Sequence, residues 1–370
     1  MSTAEAIPTE YTDPINSQIL AVSEDKLSGF YRYPFQEIAE RANLPESVVM
    51  ERIRAMLEAG VIRRVRQTLL STNLAEGALT AWKVPQEKLD ETFEFMFRND
   101  PFSGHVVVRS TDQDSAGSDY KLWTTLKVPP TTTLEEHGRR LLELTEAESF
   151  KLMPAKGIFA LGVGHVRRKN LEPGDKSPEP AVMRKVGVVD LNDEQWHVLD
   201  FLKREFQPEE IQEDPWAPRA EAAGKAPEDF FRVAEELERK GVIGRFSTFL
   251  EHVKPDKSGK RLTRFNGLFH WAVPPGMEEA AGSEVGRHLC LTHCYWREGG
   301  PVFNNVNIMA VAHGMEKEKV LEHKAAIDAH LEACNIPVSY TNVFWGGRSE
   351  IKPSEIMPHA YKAWLGKWFS

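Results

Sequence analysis

From Ile15 to about residue 66 the apolar positions recur at helical spacing. Ile15, Ile19, Leu20 and Leu27 predict a first helix, residues 34–41 a second and residues 45–59 a third. In the third, Val49, Ile53, Met56 and Leu57 share one face. Asn43-Leu44-Pro45-Glu46 reads as a turn and helix start, and Gly60 as a helix end. Val61-Ile62-Arg63-Arg64-Val65 then begins a strand, so the segment reads as a winged helix-turn-helix. Beyond it the pattern changes. Strand-like runs at residues 79–84, 105–109, 120–128 and 150–160 enclose helical runs at 86–98 and 133–145. The order βαββαβ is the ferredoxin-like arrangement, and Pro129-Pro130 closes its third strand.

The same pattern occurs twice. Pro34-Phe35, Ala39, Ala42 and Gly60-Val61-Ile62 have counterparts in Pro215-Trp216, Ala220, Ala223 and Gly241-Val242-Ile243, all offset by 181 residues. His105-Val-Val-Val-Arg109 is matched at an offset of 188 by His293-Cys-Tyr-Trp-Arg297. An inserted polar hairpin tip at residues 254–260 accounts for the growth in offset. In the second copy, helices are expected at 193–206, 227–240 and 317–334, and strands at 266–273, 290–297, 305–312 and 338–345. The fold class is therefore α+β: two tandem copies of a winged helix-turn-helix followed by a ferredoxin-like domain. The expected divisions are helix-turn-helix 15–75, ferredoxin-like domain 76–163, linker 164–186, helix-turn-helix 187–262, ferredoxin-like domain 263–350 and C-terminal tail 351–370.

Composition narrows the function. The chain has 370 residues, 41% hydrophobic and 27% charged, which is ordinary for a soluble protein. It has no apolar run of the ~20 residues that a membrane span needs. The N-terminus lacks the pattern of a secretory signal, and the three cysteines form neither CxxC spacing nor a disulfide framework, so a cytoplasmic location is expected. The net charge of −9 lacks the electrostatic footprint of a nucleic-acid reader.

Helix-turn-helix plus ferredoxin-like domain resembles the Lrp/AsnC transcription regulators. The candidate recognition helices are nevertheless acidic. Glu46, Glu51 and Glu58 outweigh Arg52 and Arg54, while Glu228, Asp229, Glu235, Glu236 and Glu238 outweigh Arg232, Arg239 and Lys240. Phosphate contacts dominate DNA affinity, so this balance weighs against DNA binding. Four fragments give a narrower resemblance: Gly60-Val-Ile-Arg63-Arg64, Tyr120-Lys-Leu-Trp123-Thr-Thr-Leu126, Thr292-His293-Cys-Tyr295-Trp-Arg297 and Asn307-Ile-Met-Ala-Val-Ala-His313-Gly314. In this order they look like the siroheme decarboxylase family, in its form with both subunits fused. The resemblance implies a carboxy-lyase that removes carbon dioxide from acetate side chains of siroheme, or a related tetrapyrrole, in haem biosynthesis. It also implies that the two copies pair as an internal pseudo-dimer, with further self-association left open. The alternative is an Lrp/AsnC-type regulator or haem-sensing DNA-binding protein without turnover.

The chemistry fits an iron macrocycle with a carboxylate rim. Such a site needs arginine forks for carboxylates, an aromatic slot, and a histidine that can deliver a proton or reach the iron. Residues i and i+4 of a strand share a face, so His293, Tyr295 and Arg297 line one surface, as do His105 and Arg109. The expected catalytic groups are His293, Tyr295 and His105, with His293 also a candidate ligand to the substrate iron. Arg297, Arg109, Arg63, Arg64 and Arg245 are expected to hold carboxylates. Tyr120, Trp123, Asn307 and His313 are expected to form the slot. No cofactor or protein-bound metal is required beyond the tetrapyrrole itself. Trp82 and Trp271, each in a Trp-x-Val-Pro run, read as core. The chain departs from the family's Tyr-Asn-Leu signature: copy one reads Tyr120-Lys121-Leu122 and copy two Val306-Asn307-Ile308. The expected site is therefore asymmetric and weighted to copy two.

Overall fold

The computed structural model describes residues 7–162, 171–251 and 263–369. The expected hairpin tip at 254–260 and the first part of the expected linker, 164–170, lie outside the described residues. In chain order, α1 (Pro14–Ser23), β1 (Leu27–Ser28), α2 (Pro34–Ala42), α3 (Glu46–Glu58) and β2 (Ile62–Leu69) come first. Next are β3 (Glu76–Lys83), α4 (Leu89–Arg98), β4 (Ser103–Ser110), β5 (Leu122–Val128), α5 (Leu134–Leu144), β6 (Ser149–Leu161) and β7 (Arg184–Lys185). The second copy holds α6 (Asp193–Leu202), α7 (Ala217–Ala222), α8 (Pro227–Arg239), β8 (Ile243–Leu250), β9 (Phe265–Ala272), α9 (Glu278–Gly286), β10 (Leu291–Arg297), β11 (Ile308–Gly314), α10 (Lys317–Ala333), β12 (Tyr340–Ile351) and α11 (Pro358–Trp368).

These elements form two compact units, and each unit takes half of its material from each copy. The first unit holds the described residues of Met1–Leu70 and Val189–Leu262. Its sheet has three strands in the order β1-β8-β2, so the wing strand of copy two lies between two strands of copy one. Each copy contributes a Gly-Val-Ile start to this sheet. Gly60 and Gly241 follow α3 and α8 at φ 74° and 70°, a conformation that ends a helix and that glycine adopts without a Cβ penalty. The core beneath is aromatic: Phe35 and Phe206 both pack edge-on or tilted against Phe246, and Trp216 meets Phe206 at 5.1 Å.

The second unit holds the described residues of Ser71–Gly162, Leu171–Val188 and Thr263–Ser370. Each copy builds a four-stranded antiparallel sheet, β4-β5-β3-β6 and β10-β11-β9-β12. The sequence predicts two separate domains that pair. The structure joins both edges: β12 pairs with β4 and β6 pairs with β10, closing the eight strands into a barrel. Backbone pairing joins the edge strands of the two sheets, β7 adds to β6 at Gly157 and Ile158, and the closure leaves no trace in side-chain pattern.

Strand parity assigns the faces. Trp82, Phe93, Leu126 and Leu141 form the core under α4 and α5, and Trp271, Val285, Ile327 and Leu331 form the core under α9 and α10. Both Trp82 and Trp271 are fully buried there, as read from the sequence. The segment expected as a tail carries α11, whose Tyr361 and Trp364 complete the first of these cores. The opposite faces of both sheets meet inside the barrel around Val107, Trp123, Met153, Leu268, Met309 and Phe344.

Candidate functional site in the barrel interior

Parity places His105, Val107 and Arg109 of β4 on the interior face, since Val106 and Val108 pack into the outer core. By the same alternation His293, Tyr295 and Arg297 of β10 face inward, because Cys294 and Trp296 belong to the helix side. Trp123 and Lys127 of β5, His270 of β9 and His313 of β11 complete the polar lining.

Two rows run across the sheets and mirror one another. In one, Arg297 pairs in register with Ala155, and Gly77 with Lys127. In the other, Arg109 pairs with Gly346, and Asn266 with His313. The pairs of adjacent strands β6–β3 and β12–β9 connect the halves of each row. Each row thus has an arginine at one end, a lysine or histidine at the other, and small or short residues between. The mirror extends to hydrogen bonds. Arg297 donates to the carbonyl of Met153, and Arg109 Nη1 donates to the carbonyl of Phe344 at 3.2 Å. Met153 and Phe344 occupy equivalent places on β6 and β12, opposite Leu79 and Leu268.

The rows differ in what fills them. Asn266 stands where copy one has Gly77, and its Oδ1 accepts a bond from Arg109 at 3.3 Å. Above Gly77 lies the Lys127 side chain instead. Burial pushes the Lys127 ammonium down to about 8, and the nearby Arg297 charge pushes in the same direction. Arg109 is lowered to about 10 by burial alone. Arg297 is lowered by burial, with Tyr295 acting against the shift. No carboxylate among the described residues offsets any of these three charges. Buried cations beside one another are costly unless an anion joins them, so the rows are suited to carboxylates.

Copy two supplies the richer strand. The His293 ring stacks on Tyr295 with centroids 6.0 Å apart and an interplanar angle of 19°, and His293 Nδ1 lies 3.0 Å from Thr292 Oγ1. The Arg297 guanidinium lies 4.4 Å from the Tyr295 ring centre. Burial raises the Tyr295 hydroxyl above its ordinary range, so it holds its proton as a neutral donor. In copy one Val107 occupies the tyrosine's position, and His105 Nε2 is 2.7 Å from Ser349 Oγ.

The other expected residues take different places. Trp123 is buried in the barrel, its Nε1 donating to the Tyr120 carbonyl at 2.6 Å, and it packs on Phe303 and Phe344. The Tyr120 hydroxyl is 3.4 Å from Ser149 Oγ. Asn307 brackets the backbone of Val273, donating to its carbonyl at 2.8 Å and accepting from its N–H at 2.9 Å. Arg63, Arg64 and Arg245 lie on β2 and β8, in the other unit. Arg64 pairs with Glu205 at 3.2 Å, Arg245 Nε donates to the Glu24 carbonyl at 3.2 Å, and burial lowers Arg63 to about 10.

Sequence reasoning missed Lys127 and His270. Lys127 stands four residues after Trp123 on the same strand face, a parity signal that was available. His270 is 1% exposed, neither ring nitrogen has a hydrogen-bond partner among the described residues, and burial, aided by Arg109 and Lys324, pushes it down to about 3. The helix-turn-helix arginines are spent internally. Arg54 donates to the carbonyls of Pro208 and Ile211 at 3.2 and 2.7 Å, Arg52 pairs with Asp13 at 3.3 Å, and Arg232 pairs with Glu194 and Glu236. No helix among the described residues is long and apolar enough to cross a membrane.

Comparison with known proteins points the same way. A family described as the AsnC-like ligand binding domain matches residues 74–159 and 263–341, and one described as the siroheme decarboxylase NirDL-like HTH domain matches residues 31–63. The chain is 26% identical to the siroheme decarboxylase of Hydrogenobacter thermophilus over 78% of this chain and 80% of that one. It is 30% identical to the siroheme decarboxylase alpha subunit of Desulfovibrio desulfuricans over 35% of this chain and 70% of that one. The crystal structure of the siroheme decarboxylase NirDL in complex with an iron-uroporphyrin III analogue has a like fold, with a TM-score of 0.66 at 20% identity over 96% of this chain and 98% of that one.

Proposed function

The chain belongs to the siroheme decarboxylase family, and from that premise we propose that it is a carboxy-lyase acting on acetate side chains of siroheme, with the barrel interior as its site. The observation that carries the placement is the pairing of Lys127 with Arg297, two interior cations without a carboxylate partner among the described residues. They hold one rim carboxylate of the substrate, and Arg109 with His313 holds another. Each charge-assisted bond contributes roughly 1.5–3 kcal/mol.

In the reaction the bond between the acetate methylene and its carboxylate breaks. Carbon dioxide leaves, the electron pair passes to the methylene carbon and its conjugated ring, and one proton arrives at that carbon to give a methyl group. His293 delivers this proton, and Tyr295, kept protonated by burial, orients the imidazole and the substrate edge. His105 mirrors His293 with a plainer set of neighbours. Trp123 and Tyr120 contribute aromatic surface. The reaction needs no resident cofactor, and any iron chemistry belongs to the substrate.

The test is anaerobic incubation with siroheme followed by mass spectrometry. Products lighter by carbon dioxide, lost in the His293→Ala variant, are expected. Unchanged siroheme with folded protein sinks the proposal. A haem-responsive shift of DNA in an electrophoretic assay, without turnover, would favour the regulator alternative.

A further inference from the structure

On the helix side of the copy-two sheet, Glu284 of α9 and His330 and Cys334 at the end of α10 bring a carboxylate oxygen, an imidazole nitrogen and a sulfur within 4.8 Å of one another. No other such group of three occurs among the described residues. Cys334 follows His330 by four residues, so both side chains leave the same helix face. Its Sγ is 3.7 Å from His330 Nε2, and Glu284 Oε2 is 2.6 Å from the same nitrogen.

A second observation comes from His288, four residues beyond Glu284. It is only 2% exposed, its Nε2 has no hydrogen-bond partner among the described residues, and its ring stands 5.2 Å from that of His330. A buried nitrogen left unbonded is costly, and it stands beside the group, outside the 4.8 Å set.

We propose that Glu284, His330 and Cys334, with the His288 ring beside them, bind a divalent transition metal of the zinc class, tying α9 to α10. One carboxylate, one imidazole and one thiolate make a three-donor set that zinc accepts, with water in the fourth tetrahedral position. On binding, the Cys334 S–H bond breaks, its proton passes to solvent and the sulfur pair goes to the metal. Carboxylate and thiolate together then neutralise the dication. Lys176 now lies 2.8 Å from His330 Nδ1 and is exposed. Binding at Nε2 places the remaining imidazole proton on Nδ1, so Lys176 swings away. Arg287, 3.0 Å from Glu284, remains as an outer partner of the carboxylate. Since His293, Tyr295 and Arg297 face the other side of the sheet, the metal braces the fold and takes no part in decarboxylation.

The full, untagged chain, stripped with chelator and titrated with Co²⁺, is expected to take one equivalent and to show thiolate-to-cobalt absorption. Zn²⁺ is expected to raise Tm in a concentration-dependent way. Loss of an outer-shell partner alone typically weakens metal binding ~10–100-fold. Cys334→Ser is therefore expected to abolish the thiolate band, and His330→Ala to lower Zn²⁺ affinity by more than about tenfold. Both variants should leave siroheme turnover unchanged. A wild-type protein without the thiolate band, or Zn²⁺ affinity unaltered in both variants, overturns the proposal. The turnover assay reads the barrel separately, so failure of one reading is distinguishable from failure of the other.

Discussion

Lys127 lies over Gly77 of the neighbouring strand: a Cβ at residue 77 would meet its Nζ at 3.0 Å and its Cγ at 3.2 Å. The missing side chain gives the lysine its path toward Arg297. Gly77→Val is expected to push the ammonium aside and to raise KM for siroheme roughly 10–100-fold, the loss of one charge-assisted bond, with a smaller change in kcat. Steady-state kinetics under anaerobic conditions check this, and an unchanged KM would detach Lys127 from substrate binding.

The same lysine sets a pH limit. With its ammonium near 8 in the unliganded protein, the charged form that a carboxylate needs is lost as pH rises past that value. Siroheme affinity should fall through this range, and Lys127→Arg should flatten the fall. Stability moves oppositely. Unfolded lysine titrates near ~10.4, so between the two values the unfolded chain binds more protons and stability rises with pH. Lys127→Met is expected to exceed wild type in stability below about pH 8, with the gap closing above it; denaturant titrations at several pH values measure this.

His293 and His105 occupy mirrored positions, but only His293 has a tyrosine stacked beside it. His293→Ala is expected to lower kcat by ~10²–10⁴, the usual worth of a general acid, and His105→Ala by much less. Equal losses would mean that both halves carry chemistry.

His270 predicts acid sensitivity. It is neutral in the fold down to about 3, while an unfolded histidine protonates near ~6.5. The unfolded state therefore gains protons first, and stability should fall as pH drops below about 6.5. His270→Phe, in a cage already formed by Trp123, Phe303 and Phe344, should reduce that acid slope. An identical slope in the variant would assign it to other groups.

Much of this arrangement is written in local pattern. The alternation around His293 and Arg297 fixes one strand face, and the Gly-Val-Ile pairs mark both helix ends. The helix α9 is faint in the sequence because Ala280, Ala281, Gly282 and Gly286 give it a thin apolar stripe. The reason for its glycines lies far along the chain: a Cβ on Gly282 would meet the Phe159 ring at 2.0 Å. The helix α11 has the pattern of a tail in the sequence because its apolar residues cover a core contributed by distant strands. Lys127 stands at a strand end, and only the register across β3, β6 and β10 reveals its company.

The seams of the barrel have a consequence for how the chain must be made. The sheet of copy one ends in β4 and β6, and both are sealed only by strands of copy two. Likewise β8 completes a sheet begun by β1 and β2. A half synthesised alone would offer sticky margins to any passing strand. Tethering the halves in one polypeptide supplies each with its complement at high local concentration and in fixed stoichiometry, so the duplication acts as a built-in chaperone for its own closure.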